Sequence, residues 1–300
     1  MSDFLEQMAA SSRERLEAAR RACSEANLLQ KAQAMPPPPR LTASPARFDL
    51  IAELKLRSPA VGQLKSASSE DVAGRVTAYA EAGAAAVSVL TEPSRFDGSM
   101  AHLELATRAL ASLGVPAMRK DFIVDPYQVI EARAAGAGGA LVIIRMVSRD
   151  GIDALLDCAR SLGLFVLLEA FDEADIEVMH DVIARRPVAG AAAGGPAALM
   201  ARAAGTAVAP AAPVLAGLNC RDLTTLQIVP QRLLDLAPLL PTSVPRVAES
   251  GVTLPDDAAR VAAAGYEYAL VGSALMQGGD PHALAAALLK AGRAQARPQP

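Results

Sequence analysis

From Phe48 onward the chain repeats one pattern: a short run rich in Val, Ile and Leu, a polar loop, a helical stretch with its own start signal, and then a glycine. The apolar runs predict strands at 48–54, 86–90, 115–119, 140–144, 164–168, 214–218, 244–248 and 268–271. The stretches between them carry helix punctuation. Ser68-Ser69-Glu70-Asp71 is a capping-box start and Ala82-Gly83 a stop, and Asp125-Pro126 opens a helix that Gly136 ends. Ser148 and Gly163 bracket another, and Pro255-Asp256-Asp257 opens one closed by Gly265. Eight strands with helices between them predict an α/β fold, the (β/α)8 TIM barrel. An open doubly wound sheet would want a glycine fingerprint after its first strand, where this chain has KLRSPAVG.

Upstream, residues 4–34 predict a polar, alanine-rich helix or helix pair, stopped by the prolines at 36–39. The expected organisation is a helical extension over 1–47, the barrel over 48–290 and a tail over 291–300. The connection from Glu169 to Asn219 is much longer than the roughly 31 residues per unit of a barrel of about 250 residues. Its surplus, 188–213, is rich in Ala, Gly and Pro. It reads as a flexible insertion with room for one short helix between Pro196 and Gly205.

Composition narrows the function classes. The chain is 52% hydrophobic and 20% charged, enough for a sizeable core, and no apolar run approaches the roughly 20 residues of a membrane span. A net charge of −3 gives no bulk attraction to nucleic acid or anionic membranes, so any anionic ligand must be held by local groups. The N-terminal stretch lacks a signal peptide's apolar core, and Asp3, Glu6, Glu14 and Glu17 argue against a transit peptide. Three scattered cysteines, Cys23, Cys158 and Cys220, fit a reducing cytosol. His102, His180 and His282 all fall in predicted helices, away from one another, so neither a zinc site nor a histidine triad is expected.

Side chains two apart on a strand share a face, and that parity reveals a pattern at the strand ends. Glu53 and Lys55 follow Ile51 on one face; Lys120 follows Met118, Glu169 follows Leu167, Asn219 follows Gly217, and Glu249 follows Val247. Polar residues begin at any strand end, which accounts for one or two such pairs. Five of eight ends carrying Glu, Lys, Glu, Asn and Glu point instead to a cluster at one rim. That rim, at the carboxyl ends of the strands, is where such barrels keep their chemistry. Clustered carboxylates there need cations beside them, and Lys55, Lys120 and Arg221 are at hand. Ser250-Gly251 and Gly272-Ser273 follow the last two strands, where such barrels often hold a phosphate on backbone N–H groups.

In segments from the N-terminal helix to about Met276, the chain resembles the indole-3-glycerol phosphate synthase family. IAELKLRSPAVG, VSVLTEPSRFDGS and MRKDFIVDPYQVIEA are similar to the motifs of its first three strands. LLEAFDE, LNCRDLTTLQI, VAESGV and ALVGSALM are similar to those of the fifth to eighth. The resemblance implies a carbon–carbon lyase of tryptophan synthesis. Its substrate would be 1-(2-carboxyphenylamino)-1-deoxyribulose 5-phosphate, closed to the indole with loss of carbon dioxide and water. It also implies roles. Lys120 matches the general acid and Glu169 a second acid/base, with Glu53, Lys55, Asn219 and Glu249 at the remaining catalytic positions. Ser58 and Arg221 match substrate-binding positions, and Lys55, Ser250, Gly251, Gly272 and Ser273 the phosphate side.

Phe122, Leu141 and Leu218 are candidates for an apolar wall around the aromatic end, which the N-terminal extension and the loop 56–65 would cover. No step needs a metal, nicotinamide or flavin, so no cofactor is expected. The expected partner is a phosphorylated small molecule, the assembly a monomer, and the location cytoplasmic. Which of Glu169 and Glu249 acts as acid and which as base stays open. The chain departs from the family pattern at Leu56, Arg145, Phe171, Cys220 and the insertion. Two alternatives remain on the same fold: a sugar-phosphate isomerase, and a degenerate barrel that only binds phosphate.

Overall fold

Alternation sorts each strand into two sides. Leu50, Ala52 and Leu54 join Val87, Val89, Val142 and Leu168 in a layer between strands and helices. Ile51, Met118, Leu141, Leu167, Leu215, Val247 and Leu270 meet at the centre. Strands buried on both faces fit helices outside and a sheet closed on itself within. The computed structural model, which describes residues 3–66, 70–186 and 213–296, is such a closed barrel. Its parallel strands are β1 (Asp49–Leu54), β2 (Ala86–Leu90), β3 (Ala117–Lys120), β4 (Gly139–Ile143), β5 (Phe165–Ala170), β6 (Val214–Asn219), β7 (Arg246–Glu249) and β8 (Tyr268–Val271). Neighbours in sequence are neighbours in the barrel, and β8 pairs with β1 to close it.

Two strands start two residues later than their apolar runs predict, β3 at Ala117 and β7 at Arg246. Pro116 and Pro245 have no N–H to donate. Each serves only as an acceptor, from Val87 N at 3.0 Å and Ala216 N at 2.8 Å, and the ladder begins after it. The same shift carries β3 and β7 through Lys120 and Glu249, so both side chains spring from fixed backbone.

The helices begin where side chains can satisfy their first N–H groups. α1 (Asp3–Ala22) and α2 (Glu25–Ala34) precede the barrel. α3 (Val72–Glu81), α4 (Pro93–Phe96), α5 (Met100–Leu110), α6 (Pro126–Ala134), α7 (Arg149–Ser161) and α8 (Glu173–Ala184) follow the first five strands. α9 (Gln231–Leu236), α10 (Pro255–Ala263), α11 (Ser273–Gln277) and α12 (Pro281–Gln295) complete the ring among the described residues. Asp125 and Ser148 cap α6 and α7 as expected, accepting from Tyr127 N and Gly151 N. α3 is capped by Asp71, which accepts from Gly74 N. The expected Ser68-Ser69 start lies outside the described residues, as does the insertion up to residue 212.

α12 runs past the expected boundary at 290. Gly292 lies against Phe48, and Arg293 Nη2 donates to Asp49 Oδ1 at 2.9 Å, so the last helix is tied to the foot of β1. α1 docks beside β3 through polar contacts. Arg15 donates twice to Asp121, at 2.8 and 2.9 Å, and Ser12 Oγ donates to Phe122 O at 2.5 Å. Among the described residues no helix is long and apolar enough to cross a membrane.

Candidate active site

Glu53 sits in the last layer of the barrel, and Lys55 folds back onto it, with Nζ 2.8 Å from Oε1. Burial pushes the Glu53 carboxyl up, but Lys55, Lys120 and Arg221 more than reverse this and hold it below the usual range. Lys120 ends β3 and reaches across the mouth. Its Nζ lies 3.7 Å from Glu169 Oε2 at the end of β5 and 3.6 Å from Glu249 Oε2 at the end of β7. Burial alone would favour a neutral amine; the charges of Glu169, Glu249 and Glu53 outweigh it and keep Lys120 an ammonium well above its usual range.

The two carboxyls beside Lys120 are not equivalent. Asn219, on the strand between them, donates Nδ2 to Glu169 Oε1 at 2.5 Å, and its own Oδ1 accepts from Arg221 N at 3.0 Å. Glu249 has no hydrogen-bond partner within the protein on either oxygen, and Glu169 has none on Oε2. Burial, and then the charge of Glu169, push the Glu249 carboxyl well above its usual range, and Lys120 only partly opposes them. Glu249 therefore tends to hold a proton while Glu169 is oriented by an amide. Two absent side chains make room for this. A Cβ at Gly217 would overlap Glu249 Oε1, and one at Gly272 would overlap Glu53 Oε1.

These groups line one open cleft. Phe4, Phe96, Phe122, Leu141, Ile143 and Phe171 supply its apolar wall. The Phe122 ring lies edge-on to Phe4 at 5.9 Å and tilted to Phe96 at 6.1 Å. Ser250 and Gly251 both take left-handed backbone conformations, φ 66° and 73°, turning the chain after β7 along the cleft. Gly272, Ser273 and Ala274 line it after β8. Among the described residues no group of three or more His, Cys, Asp or Glu side chains is arranged to hold a metal.

Every site residue expected from the sequence lies on this cleft: Glu53, Lys55, Ser58, Lys120, Phe122, Glu169, Asn219, Arg221, Glu249, Ser250, Gly251, Gly272 and Ser273. Leu141 does too, but Leu218 does not. Leu218 is next to Asn219 rather than two residues from it, so it faces outward and is buried between β6 and the helices.

A sequence profile of indole-3-glycerol phosphate synthase matches residues 5–187 and 202–288. This chain belongs to the indole-3-glycerol phosphate synthase family. A protein of that name from Parafrankia sp. is 38% identical over 274 residues, covering 91% of this chain and 90% of its own. One from Nocardioides sp. is 43% identical over 236 residues, covering 79% and 78%. The solved 3-hexulose-6-phosphate synthase of Salmonella typhimurium shares the fold, with a TM-score of 0.58 and 11% identity over 83% of this chain and all of that one.

The departures from the indole-3-glycerol phosphate synthase pattern have definite places. Leu56 is buried in the outer core, while Arg57 is exposed and pairs with Asp97 at 3.7 Å. Burial pushes the Cys220 thiol up to about 11, making it a packing residue. Phe171 and Arg145 meet each other at the edge of the cleft. Phe4, Leu5 and Phe96 join the wall without a signal in their local sequence, which does not specify where α1 and α4 dock. Phe171 carried a signal, being two residues beyond Glu169 and so on its face.

Proposed function

We infer that this chain closes 1-(2-carboxyphenylamino)-1-deoxyribulose 5-phosphate to indole-3-glycerol phosphate, releasing carbon dioxide and water, with Lys120, Glu169 and Glu249 as its acid–base groups. The observation that carries the assignment of roles is the half-buried Lys120 ammonium lying between Glu169 and Glu249 at the mouth of the barrel. The aryl group lies against the phenylalanine wall, and the phosphate meets the backbone of Ser250-Gly251 and Gly272-Ser273. As the ring carbon bearing the carboxylate attacks the ketone, negative charge grows on the ketone oxygen, and Lys120 donates the proton that makes it a hydroxyl. Lys55, its Nζ fixed by Glu53, holds the substrate carboxylate until the carbon–carbon bond breaks. The bonding pair returns to the ring, leaving a neutral hydroxyindoline.

The hydroxyl then leaves as water with a proton from Glu249, while Glu169 takes the proton from the adjacent ring carbon. The division follows the environments: a carboxyl pushed up by burial is the donor, and one oriented by an amide is the acceptor. Arg221 and Ser58 line the substrate path. Cys23, Cys158 and Cys220 are all free thiols, which supports a reducing, cytoplasmic setting.

The chain contains no Trp, so indole fluorescence reports product without protein background. Purified protein should generate that signal from the carboxyanilino substrate, and Lys120→Ala should lower kcat by about 10²–10⁴-fold. Absence of indole from the wild-type protein would refute the reaction. A loss within about tenfold in Lys120→Ala, roughly 1.4 kcal/mol, would refute the role of the lysine.

A further inference from the structure

Phe171 closes the aromatic side of the cleft, where the reaction above places the aryl group but gives this ring no role of its own. It follows Glu169 by two residues at the end of β5, so both side chains leave the chain toward the cleft. Phe171 is 4% exposed and lines the cleft, whereas Arg145 does not line it and lies over the ring. Arg145 Cζ lies 5.1 Å from the ring centroid, within cation–π range.

Arg145 is itself pinned. Nε donates to Asp175 Oδ2 at 2.8 Å, and Nη2 is 2.6 Å from both Asp172 Oδ2 and Asp175 Oδ2. The same Asp175 oxygen accepts from Phe171 N at 2.9 Å. One carboxylate thus ties the stacked cation to the backbone of the ring it covers.

An apolar side chain behind Phe171 would fill the space without desolvating a charge. What a pinned guanidinium adds is a flat, stiff backing that stops the ring from turning out of place. A preorganised ring is a better surface for a second ring, because no ordering is left to be done on binding. Four of the chain's six phenylalanines line this one cleft, Phe4, Phe96, Phe122 and Phe171, and only Phe171 is held in this way by charged groups among the described contacts.

We propose that Phe171 is a stacking platform that selects for the aryl group of the substrate, and that Arg145 is a positioning residue that holds the platform; this rests on the reading of the substrate as an N-aryl amino sugar phosphate. Arg145 touches no reacting atom and acts through the ring alone.

The test compares turnover of the carboxyanilino substrate by wild-type protein, Phe171→Leu, Arg145→Met and the double variant. Leucine keeps apolar bulk and removes the π face; methionine keeps the stem and removes the planar fork. Each single variant should raise KM about three- to tenfold, the equivalent of one aromatic stack. kcat should stay within about twofold, and competitive inhibition by inorganic phosphate should be unchanged. In the Phe171→Leu background, Arg145→Met should add nothing. An unchanged KM in Phe171→Leu overturns the proposal, and so does an equal rise from Arg145→Met with and without the ring. If Arg145→Met fails to fold, the pair Phe171→Leu and Phe171→Tyr decides: tyrosine must keep KM while leucine raises it. Wild-type protein that makes no indole sinks the underlying reaction, a result distinct from any pattern among the variants.

Discussion

Glu249 is buried and Lys120 half-buried at the mouth of the barrel, and loss of water acts on them in opposite directions. It works against the ammonium of Lys120, yet three carboxyls reverse the outcome, so the lysine stays charged through neutral and moderately alkaline pH. For Glu249 burial and the neighbouring Glu169 work together, and the acid form persists well above the ordinary carboxylate range. A rate that needs the acid form of Glu249 therefore declines as pH rises through that elevated value. Lys120 cannot supply this limb. Glu249→Gln should lower kcat by about 10²–10⁴-fold and remove the limb from the kcat profile; the same limb surviving in the variant would assign it to another group. Gly217 sets the position of this acid by having no side chain. Gly217→Ala would overlap Glu249 Oε1 and come within 2.8 Å of Leu167 Cδ1. It should cost about 1–3 kcal/mol of stability in a urea titration, with a loss of kcat beyond what unfolding explains.

At the scale of elements, the decisive contact is between α1 and the segment after β3. Asp121 sits between Lys120 and Phe122 at the cleft, and its carboxylate is taken up by α1 and its own neighbours. It accepts from Arg15 twice, from Thr91 Oγ1 at 2.7 Å, from Arg119 Nη2 at 3.1 Å and from Phe122 N at 2.8 Å. Burial would raise its pKa, but Arg119, Arg15 and Thr91 hold it far below the usual carboxylate range. With the folded value below the unfolded value of about 3.9, docking is fully stabilised above that pH and weakens only as pH falls through the folded value. Amide exchange protection of α1 should thus be flat from neutral pH down to about 4 and decline in stronger acid. Asp121→Asn should lose that protection at neutral pH, at a cost of about 3–5 kcal/mol for a broken buried pair. Unchanged exchange in α1 would show that its apolar contacts suffice.

For the whole molecule, closure joins residues far apart in the chain. Arg293 donates to Phe48 O at 3.0 Å and to Asp49 Oδ1 at 2.9 Å, while Ser44 N donates to Asp49 Oδ2 at 2.7 Å. These contacts lie at the amino ends of the strands, the rim opposite the cleft. Arg293→Ala should therefore lower global stability by about 1–3 kcal/mol, one charged hydrogen-bond set, and leave kcat unchanged. A drop in kcat without a shift in the urea midpoint would mean that the two rims are coupled.

Much of this was written in local pattern. Period-two alternation marked Glu53, Lys120, Glu169, Asn219 and Glu249 as one set, because a strand permits only two directions and the apolar partner of each residue declares which is inward. The same rule excludes Leu218 and includes Phe171. Capping residues and glycines located the helices, since N-caps and left-handed turns are chosen by one or two residues. What the chain alone left open were relations without a local rule. Arg15 finds Asp121 from 106 positions away, Phe4 reaches a cleft built from strands, and α12 extends past 290 to meet Phe48 and Asp49. Docking of that kind depends on complementary surfaces that exist only after closure. The acid and base roles belong there too: Glu169 and Glu249 are the same residue type, and only burial, an amide and an ammonium a few ångströms away make them different.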